Sequence, residues 1–178
     1  SSTSAVPFVD SFFHDFFQKS DSFLFPPLID LVTEYEAMLE QGTSLFLDQD
    51  AYRQLIDHYL SEEIFDRAMD VVEHAIETHR YSVEFLLRKA EILIQANQEY
   101  LALDVLAQAD ILAPNESEIL LLRAQALTYL GDHQAAHEQL ELLPDDLDLP
   151  ILAESYFVRA LIYEHQEDYE SMYLALKS

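Results

Sequence analysis

Similar segments recur in this chain every 34 residues, and this repetition constrains the fold more than any other feature. Alanines at this spacing form three series: Ala68, Ala102 and Ala136; Ala90 and Ala124; Ala75 and Ala109. A fourth copy follows at the end of the sequence, after a connection that is two residues longer. A fixed period of this length indicates stacked supersecondary units, none of which can bury its apolar face alone.

Each unit contains two apolar stripes with the spacing of an α-helix, separated by a short polar break. In the second unit, residues 85–94 and 101–112 lie on either side of the break QANQE. In the third unit the break holds Gly131, and a left-handed glycine ends a helix at low cost. Sheet-like alternation is scarce. The sequence therefore predicts an all-α fold of antiparallel helix pairs, in which the small alanines let the helices approach closely.

The order of large and small residues within each unit resembles the tetratricopeptide repeat (TPR) family, and TPR proteins of the bacterial type in particular. The resemblance covers residues 49–178 and implies a right-handed superhelical solenoid. The matching positions are Tyr52, Leu55, Ile56, Tyr59, Ala68, Val72 and Ala75 in the first unit, Leu86, Ala90, Leu93, Ala102, Leu106, Ala109 and Pro114 in the second, Leu120, Ala124, Leu127, Ala136 and Leu140 in the third, and Tyr156, Ala160, Tyr163 and Met172 in the fourth.

Three parts are predicted along the chain. Residues 1–27 form an aromatic-rich segment, 28–48 a capping helix and linker, and 49–178 between three and a half and four repeats, with boundaries at 49–81, 82–115, 116–148 and 149–178. The capping helix is expected to start at Pro27 and to end at Gly42. The second helix of the fourth repeat is expected to stop at Ser178. Seven alanines are expected at close helix contacts: Ala68, Ala90, Ala102, Ala109, Ala124, Ala136 and Ala160.

The N-terminal segment contains five phenylalanines within residues 8–17. On a helix, at about 100° per residue, they share one half with Val9, while Asp10, Ser11, His14, Asp15 and Gln18 fill the other half. No lysine or arginine precedes Lys19, so the charge is wrong for a membrane-surface helix. We expect this short helix to pack against the N-terminal end of the stack, formed by the first repeat and its capping helix. In the alternative, it occupies a concave groove, its own or that of a neighbouring copy, as a peptide ligand would.

The chain is strongly acidic, with 34 acidic and 9 basic residues and a formal net charge of −25. Nucleic acid is therefore not an expected partner, because its phosphates require clustered lysine and arginine. No apolar run approaches the roughly 18 residues of a spanning helix, so no membrane insertion is expected. The absence of cysteine excludes a disulfide scaffold and thiolate chemistry. We expect a cytoplasmic protein.

Catalytic and metal-binding patterns are weak. His133 and His137 are four residues apart on one predicted helix, a spacing that can present two imidazoles to one metal ion. The sequence fixes no third ligand, so we expect two helix-surface residues and predict no metal or cofactor. No Ser–His–Asp or paired-carboxylate arrangement can be located from spacing. The chain is therefore predicted not to be an enzyme.

Three cations take the same place in successive repeats: Lys89, Arg123 and Arg159. One interpretation is a row of positive charges for an acidic partner. The other is internal pairing with carboxylates, while the aliphatic stems cover apolar surface. We expect internal pairing, because a cation surrounded by acids usually finds one nearby.

The resemblance to TPR proteins implies a function in protein binding. TPR arrays bind peptides or proteins along the concave face formed by the first helix of each repeat. The corresponding positions here are Arg53, Gln54, Asp57, Leu87, Arg88, Glu91, Gln95, Leu121, Leu122, Gln125, Tyr129 and Phe157. Asp57, Glu91 and Leu122 stand where chaperone-tail-binding TPR domains have a clamp for a terminal carboxylate, so that subfamily is not expected.

The expected function is a non-catalytic interaction scaffold for a peptide or protein partner. The alternative is a secretion-type TPR chaperone that shields a hydrophobic client protein. A homodimer through the C-terminal repeat or through the Phe-rich helix is a further alternative.

Overall fold

The computed structural model describes residues 27–177, and within this range every regular element is a helix. The Phe-rich helix predicted at residues 8–17 lies outside the described residues. The helices, in chain order, are α1 (Leu28–Gln41), α2 (Gln49–Ser61), α3 (Phe65–Thr78), α4 (Val83–Gln95), α5 (Glu99–Leu112), α6 (Ser117–Tyr129), α7 (His133–Glu141) and α8 (Leu149–Lys177). Helices α2 to α7 form three pairs that stack in chain order. The all-α prediction is confirmed.

Helix α1 covers the start of the stack. It begins directly after Pro27 and ends at Gly42, which has a left-handed φ of 65° and donates its N–H to the carbonyl oxygen of Met38. Pro27 thus directly precedes the helix, and Gly42 ends it. The buried Tyr35 of α1 places its hydroxyl 2.8 Å from Nδ1 of His74 on α3. This hydrogen bond connects the capping helix to the second helix of the first pair.

In the part of the chain that the structure describes, the core consists of three clusters in succession. The first extends from α1 to α4 and includes Leu31, Tyr52 and Phe85. The second joins α4, α5 and α6, and the third joins α6, α7 and α8. Each cluster therefore connects neighbouring helix pairs, as expected for units that cannot bury their apolar faces alone.

Most of the seven alanines predicted at close helix contacts belong to the core clusters. Six of the seven are 0% exposed, in agreement with the prediction for Ala68, Ala90, Ala102, Ala109, Ala124 and Ala136. The prediction for Ala160 is wrong, because its side chain is exposed.

The fourth copy is one continuous helix of 29 residues, so the predicted second helix of this repeat, ending at Ser178, is wrong. The breaks inside the other three pairs each contain a residue with positive φ: Glu63 at 58°, Asn97 at 59° and Gly131 at 85°. The stretch YEHQED at residues 163–168 contains no glycine, asparagine or proline, the residues that most readily end a helix. No residue of α8 has a positive φ, so the helix continues, and within residues 27–177 no second helix folds back to cover Ala160.

Gly42 and Gly131 both have a positive φ, but only Gly131 has a side chain close to where a Cβ would lie. Substituting each by alanine therefore distinguishes the cost of backbone strain from the cost of a side-chain clash. A Cβ on Gly131 would lie 2.9 Å from the Tyr169 hydroxyl oxygen, whereas one on Gly42 would meet nothing within 4 Å. We expect Gly131→Ala and Gly42→Ala each to lose about 1–2 kcal/mol of stability in a denaturant melt, because both residues are left-handed. Only Gly131→Ala should also shift the NMR signals of Tyr169. Unchanged Tyr169 signals in that variant would contradict this contact.

Candidate functional site

The first helices of the three pairs, α2, α4 and α6, form one face of the stack together with the first half of α8. We call it the first-helix face. Helix α6 packs directly against both α4 and α8. Helix α2 is connected to α4 by ion pairs. These four helices carry all twelve residues predicted to bind a partner.

Arg53 of α2 is held by a carboxylate of the next repeat. Its Nε lies 2.6 Å from Oε1 of Glu84 on α4, and its Nη2 lies 2.8 Å from Oε2 of the same carboxylate. Arg53 also pairs with Asp50 on its own helix. The hydrogen bond to Glu84 raises the pKa of Arg53 above its usual value. This bidentate geometry fixes the guanidinium plane against α4.

Arg88 of α4 makes the reciprocal contact with α2. It pairs with Asp57 on α2 and, at 3.2 Å, with Glu91 on its own helix. Both arginines of the predicted site are therefore already neutralised by carboxylates. Since these side chains are partly exposed, such pairs contribute at most about 0.2–1 kcal/mol each to stability. The main effect of these ion pairs is to orient α2 relative to α4. They also leave both arginines already bound to carboxylates.

The carboxylate of Glu91 on α4 is influenced by carboxylates of two other helices of the first-helix face. Burial raises its pKa, and the nearby carboxylates of Glu118 on α6 and Glu154 on α8 raise it further, against the opposing effect of Arg88. Carboxylates of three successive first helices therefore act on one region. This region of the face is acidic.

The remaining predicted residues differ in accessibility. Leu87 and Leu121 are 8% and 3% exposed and belong to the core, so the prediction that they contact a partner is corrected. Gln54, Leu122 and Gln125 are half-buried and Gln95 is exposed. Tyr129 on α6 and Phe157 on α8 are 41% and 55% exposed. The exposed aromatic side chains among the predicted residues thus lie on α6 and α8.

His133 and His137 point to different partners on α8. His133 Nε2 lies 2.7 Å from Nδ1 of His165, whereas the His137 ring packs against Tyr163 with 5.6 Å between ring centroids. Among residues 27–177, no group of three or more potential metal-ligating side chains is placed to hold an ion. Sequence reasoning missed His165, because its position depends on α8 continuing past the expected break.

The three repeat-equivalent cations have three different environments. Lys89 lies 3.5 Å from a Glu73 carboxylate oxygen on α3, as internal pairing predicts. Arg123 donates to the side-chain amide oxygen of Gln139 at 3.3 Å. Arg159 is exposed and forms no ion pair with any carboxylate of residues 27–177. Internal pairing with a carboxylate is therefore confirmed for Lys89 alone.

Among residues 27–177, no helix combines sufficient length with sufficient apolar character to cross a bilayer.

Several solved TPR structures share this fold. The complex of the yeast Sti1 TPR2B domain with pHsp70 matches with a TM-score of 0.58 and 15% identity, over 67% of this chain and 96% of that chain. The Yersinia enterocolitica type III secretion chaperone SycD, in complex with a peptide of the translocator YopD, matches with a TM-score of 0.55 and 16% identity, over 68% and 97%. The Sgt2 TPR domain from Aspergillus fumigatus matches with a TM-score of 0.52 and 15% identity, over 66% and 81%.

These matches confirm that the chain is a TPR-type solenoid of helix pairs. They come from yeast, Aspergillus and Yersinia, so the fold alone does not favour the bacterial type. No curated protein gives a significant sequence match. The model of the ChAPs family, the Chs5p-Arf1p-binding proteins, matches residues 46–176. Since this match covers most of the sequence, the chain belongs to the ChAPs family.

Proposed function

We propose that this chain is a non-catalytic scaffold that binds a protein or peptide along the first-helix face. The observation that carries the proposal is the combination of exposed Tyr129 and Phe157 with the carboxylates around Glu91 on that one face. Exposed aromatic side chains with polar groups around them are typical of the residues that contribute most to binding at protein interfaces.

The charges of the face favour one kind of partner segment. Arg53 and Arg88 are occupied by Glu84 and Asp57, so an acidic segment would have to displace these carboxylates. In contrast, a lysine or arginine would meet a region in which the carboxylates of Glu118 and Glu154 act on Glu91, with Arg88 as the opposing cation. A segment that combines basic and apolar side chains therefore fits the face better than an acidic tail does.

The family suggests candidates for this partner. Its members are described as Chs5p-Arf1p-binding proteins. We therefore propose proteins of the Chs5p and Arf1p kinds as the first ligands to test. The proposal concerns binding to residues 49–177 and includes no catalytic step.

Phe157→Ala tests whether the first-helix face binds the partner. We expect the affinity for Chs5p or Arf1p to fall about tenfold or more, the usual cost of removing an aromatic hot spot. The matched control is Tyr100→Ala on α5, since Tyr100 is 73% exposed but lies on a second helix. Isothermal titration calorimetry measures both variants. An equal loss in both variants, or no loss in Phe157→Ala, would place the binding surface elsewhere.

A secretion-type chaperone that shields a hydrophobic client is the second candidate function. Its supporting observation is the row of exposed large side chains on the second half of α8: Tyr169, Met172, Tyr173, Leu174 and Leu176. Such a surface suits a client that is insoluble alone. Co-expression distinguishes the two functions, because a chaperone client becomes soluble only together with this protein, whereas a scaffold partner is soluble without it.

We also propose a cytoplasmic location. We further propose that the chain does not bind nucleic acid, because its net charge of −25 repels phosphates. The exposed side of α8 offers a surface for a homodimer as well, and so does the predicted Phe-rich helix. Light scattering across a concentration series, with and without residues 1–26, tests both homodimer proposals. A monomer at all concentrations in both forms would exclude them.

A further inference from the structure

The second half of α8 is held to the stack by histidine and tyrosine side chains rather than by buried apolar residues. Ile162 is the last buried residue of α8 within the described range. Beyond it, contacts with α6 and α7 come from a group that we call the histidine–tyrosine cluster: Tyr129, His133, His137, Tyr163, His165 and Tyr169.

The centre of the cluster is a hydrogen bond between two imidazoles. Nε2 of His133 on α7 lies 2.7 Å from Nδ1 of His165 on α8. The Tyr169 ring packs edge-on against His133 at 5.4 Å and lies 5.1 Å from His165 between centroids. Tyr129 of α6 also contacts His165, with 6.3 Å between ring centroids. Tyrosine rings from α6 and α8 therefore flank the pair, whose imidazoles are half-buried.

The charged and titratable groups around His133 favour its neutral form. Burial lowers its pKa, and His165 and His137 lower it further, while Asp132 at the start of α7 opposes them. From α8 it faces His165 and Tyr169, and from α6 the cluster contains Tyr129. Asp132 is the carboxylate that acts on His133, and its effect is smaller than that of burial.

The number of protons on the two imidazoles decides whether the hydrogen bond between His133 and His165 can form. An N–H···N bond needs one donor and one acceptor nitrogen, so the pair can carry no extra proton or one and keep the bond. A second proton makes both nitrogens donors and brings two positive charges together at 2.7 Å. The second proton therefore breaks the contact.

We propose that the His133–His165 contact is a pH-sensitive switch, and that its full protonation releases residues 163–177 from α6 and α7. Release frees Tyr169 from the turn at Gly131 and uncovers Tyr129. The direction in which stability changes with pH follows from proton linkage. A histidine whose pKa is lowered in the folded state binds fewer protons there than in the unfolded chain, so lowering the pH favours unfolding. The contact therefore stabilises the fold above the ordinary histidine pKa of about 6.5 and weakens progressively as the pH falls below it.

Hydrogen exchange of the intact chain tests this proposal at pH 7.5 and pH 5.5, with rates corrected for intrinsic exchange. In the wild type we expect protection of residues 163–177 to fall at least tenfold at the lower pH, while α4 and α5 keep theirs. In the double variant His133→Gln/His165→Gln, an amide pair can hydrogen-bond at both pH values, so protection should not change. The control His58→Gln, on α2 outside the cluster, should behave as the wild type does.

Several outcomes would overturn the proposal. An equal loss in the double variant would assign the pH dependence to other groups, and no loss in the wild type would exclude a switch. Loss of wild-type protection at pH 7.5 on adding EDTA would show that a metal ion bridges the rings. If the double variant is unprotected at both pH values, NMR titration of the wild type decides. The pH at which the pair takes up its second proton must then equal the pH at which residues 163–177 lose protection. Loss of protection at a clearly different pH contradicts the switch.

Discussion

Replacing Phe85 with alanine should lower the free energy of unfolding by about 3–5 kcal/mol. Phe85 is 0% exposed, and its ring packs edge-on against Tyr52, with 6.1 Å between centroids. The His79 ring lies at the same distance on another side. Although Phe85 is on α4, it belongs to the first core cluster, so its removal leaves a cavity between the first two repeats. Urea denaturation followed by circular dichroism measures the loss.

Phe157→Ala is the matched control for this prediction. It removes the same atoms from a side chain that is 55% exposed, and should change the stability by no more than about 0.5 kcal/mol. The comparison separates burial from residue type. A loss in Phe85→Ala no larger than the loss in the control would contradict the placement of Phe85 in the core.

Enlarging Ala102 to leucine should destabilise the stack by about 1–3 kcal/mol, because a well-packed contact has no room for three more carbons. Ala102 is 0% exposed on α5, within the second core cluster. The change does not remove any existing contact, so the loss would come from overpacking alone.

Ala160→Leu is the control here, since Ala160 matches the repeat pattern but is exposed on α8. It should leave the stability within about 0.5 kcal/mol of the wild type. The same denaturation experiment measures both variants. If Ala102→Leu were neutral, or if Ala160→Leu were the more damaging change, the packing described for the alanines would be wrong.

The period of the alanines was sufficient to predict most of the fold. Small residues recur where helices cross, and this steric requirement is local enough to be visible in one sequence. The prediction that Ala160 is buried was wrong for a physical reason. A repeated pattern of small residues does not reveal whether the chain turns after the first helix of the repeat. In the first three units a residue with positive φ makes the turn, and no such residue interrupts α8.

The binding face was predicted less completely than the fold. The resemblance assigned Arg53 and Arg88 to it, but their partners, Glu84 and Asp57, lie 31 positions away in each case. Which of many acids pairs with a given cation depends on how closely α2 and α4 approach. The burial of Leu87 has the same origin, since the depth of a side chain depends on the neighbouring helix.

The serial arrangement of the three core clusters has a consequence for cooperativity. Each cluster connects only adjacent units, so unfolding can advance from one end as a front that need not reach the other end. Counting only residues 27–177, the third cluster has six buried residues, against thirteen in the first, which makes the C-terminal end of this range the easier starting point. A ligand that contacts α2 and α8 together would close this route, because the front could not advance without losing the ligand. Binding of such a ligand would then make the melting transition sharper and closer to two-state.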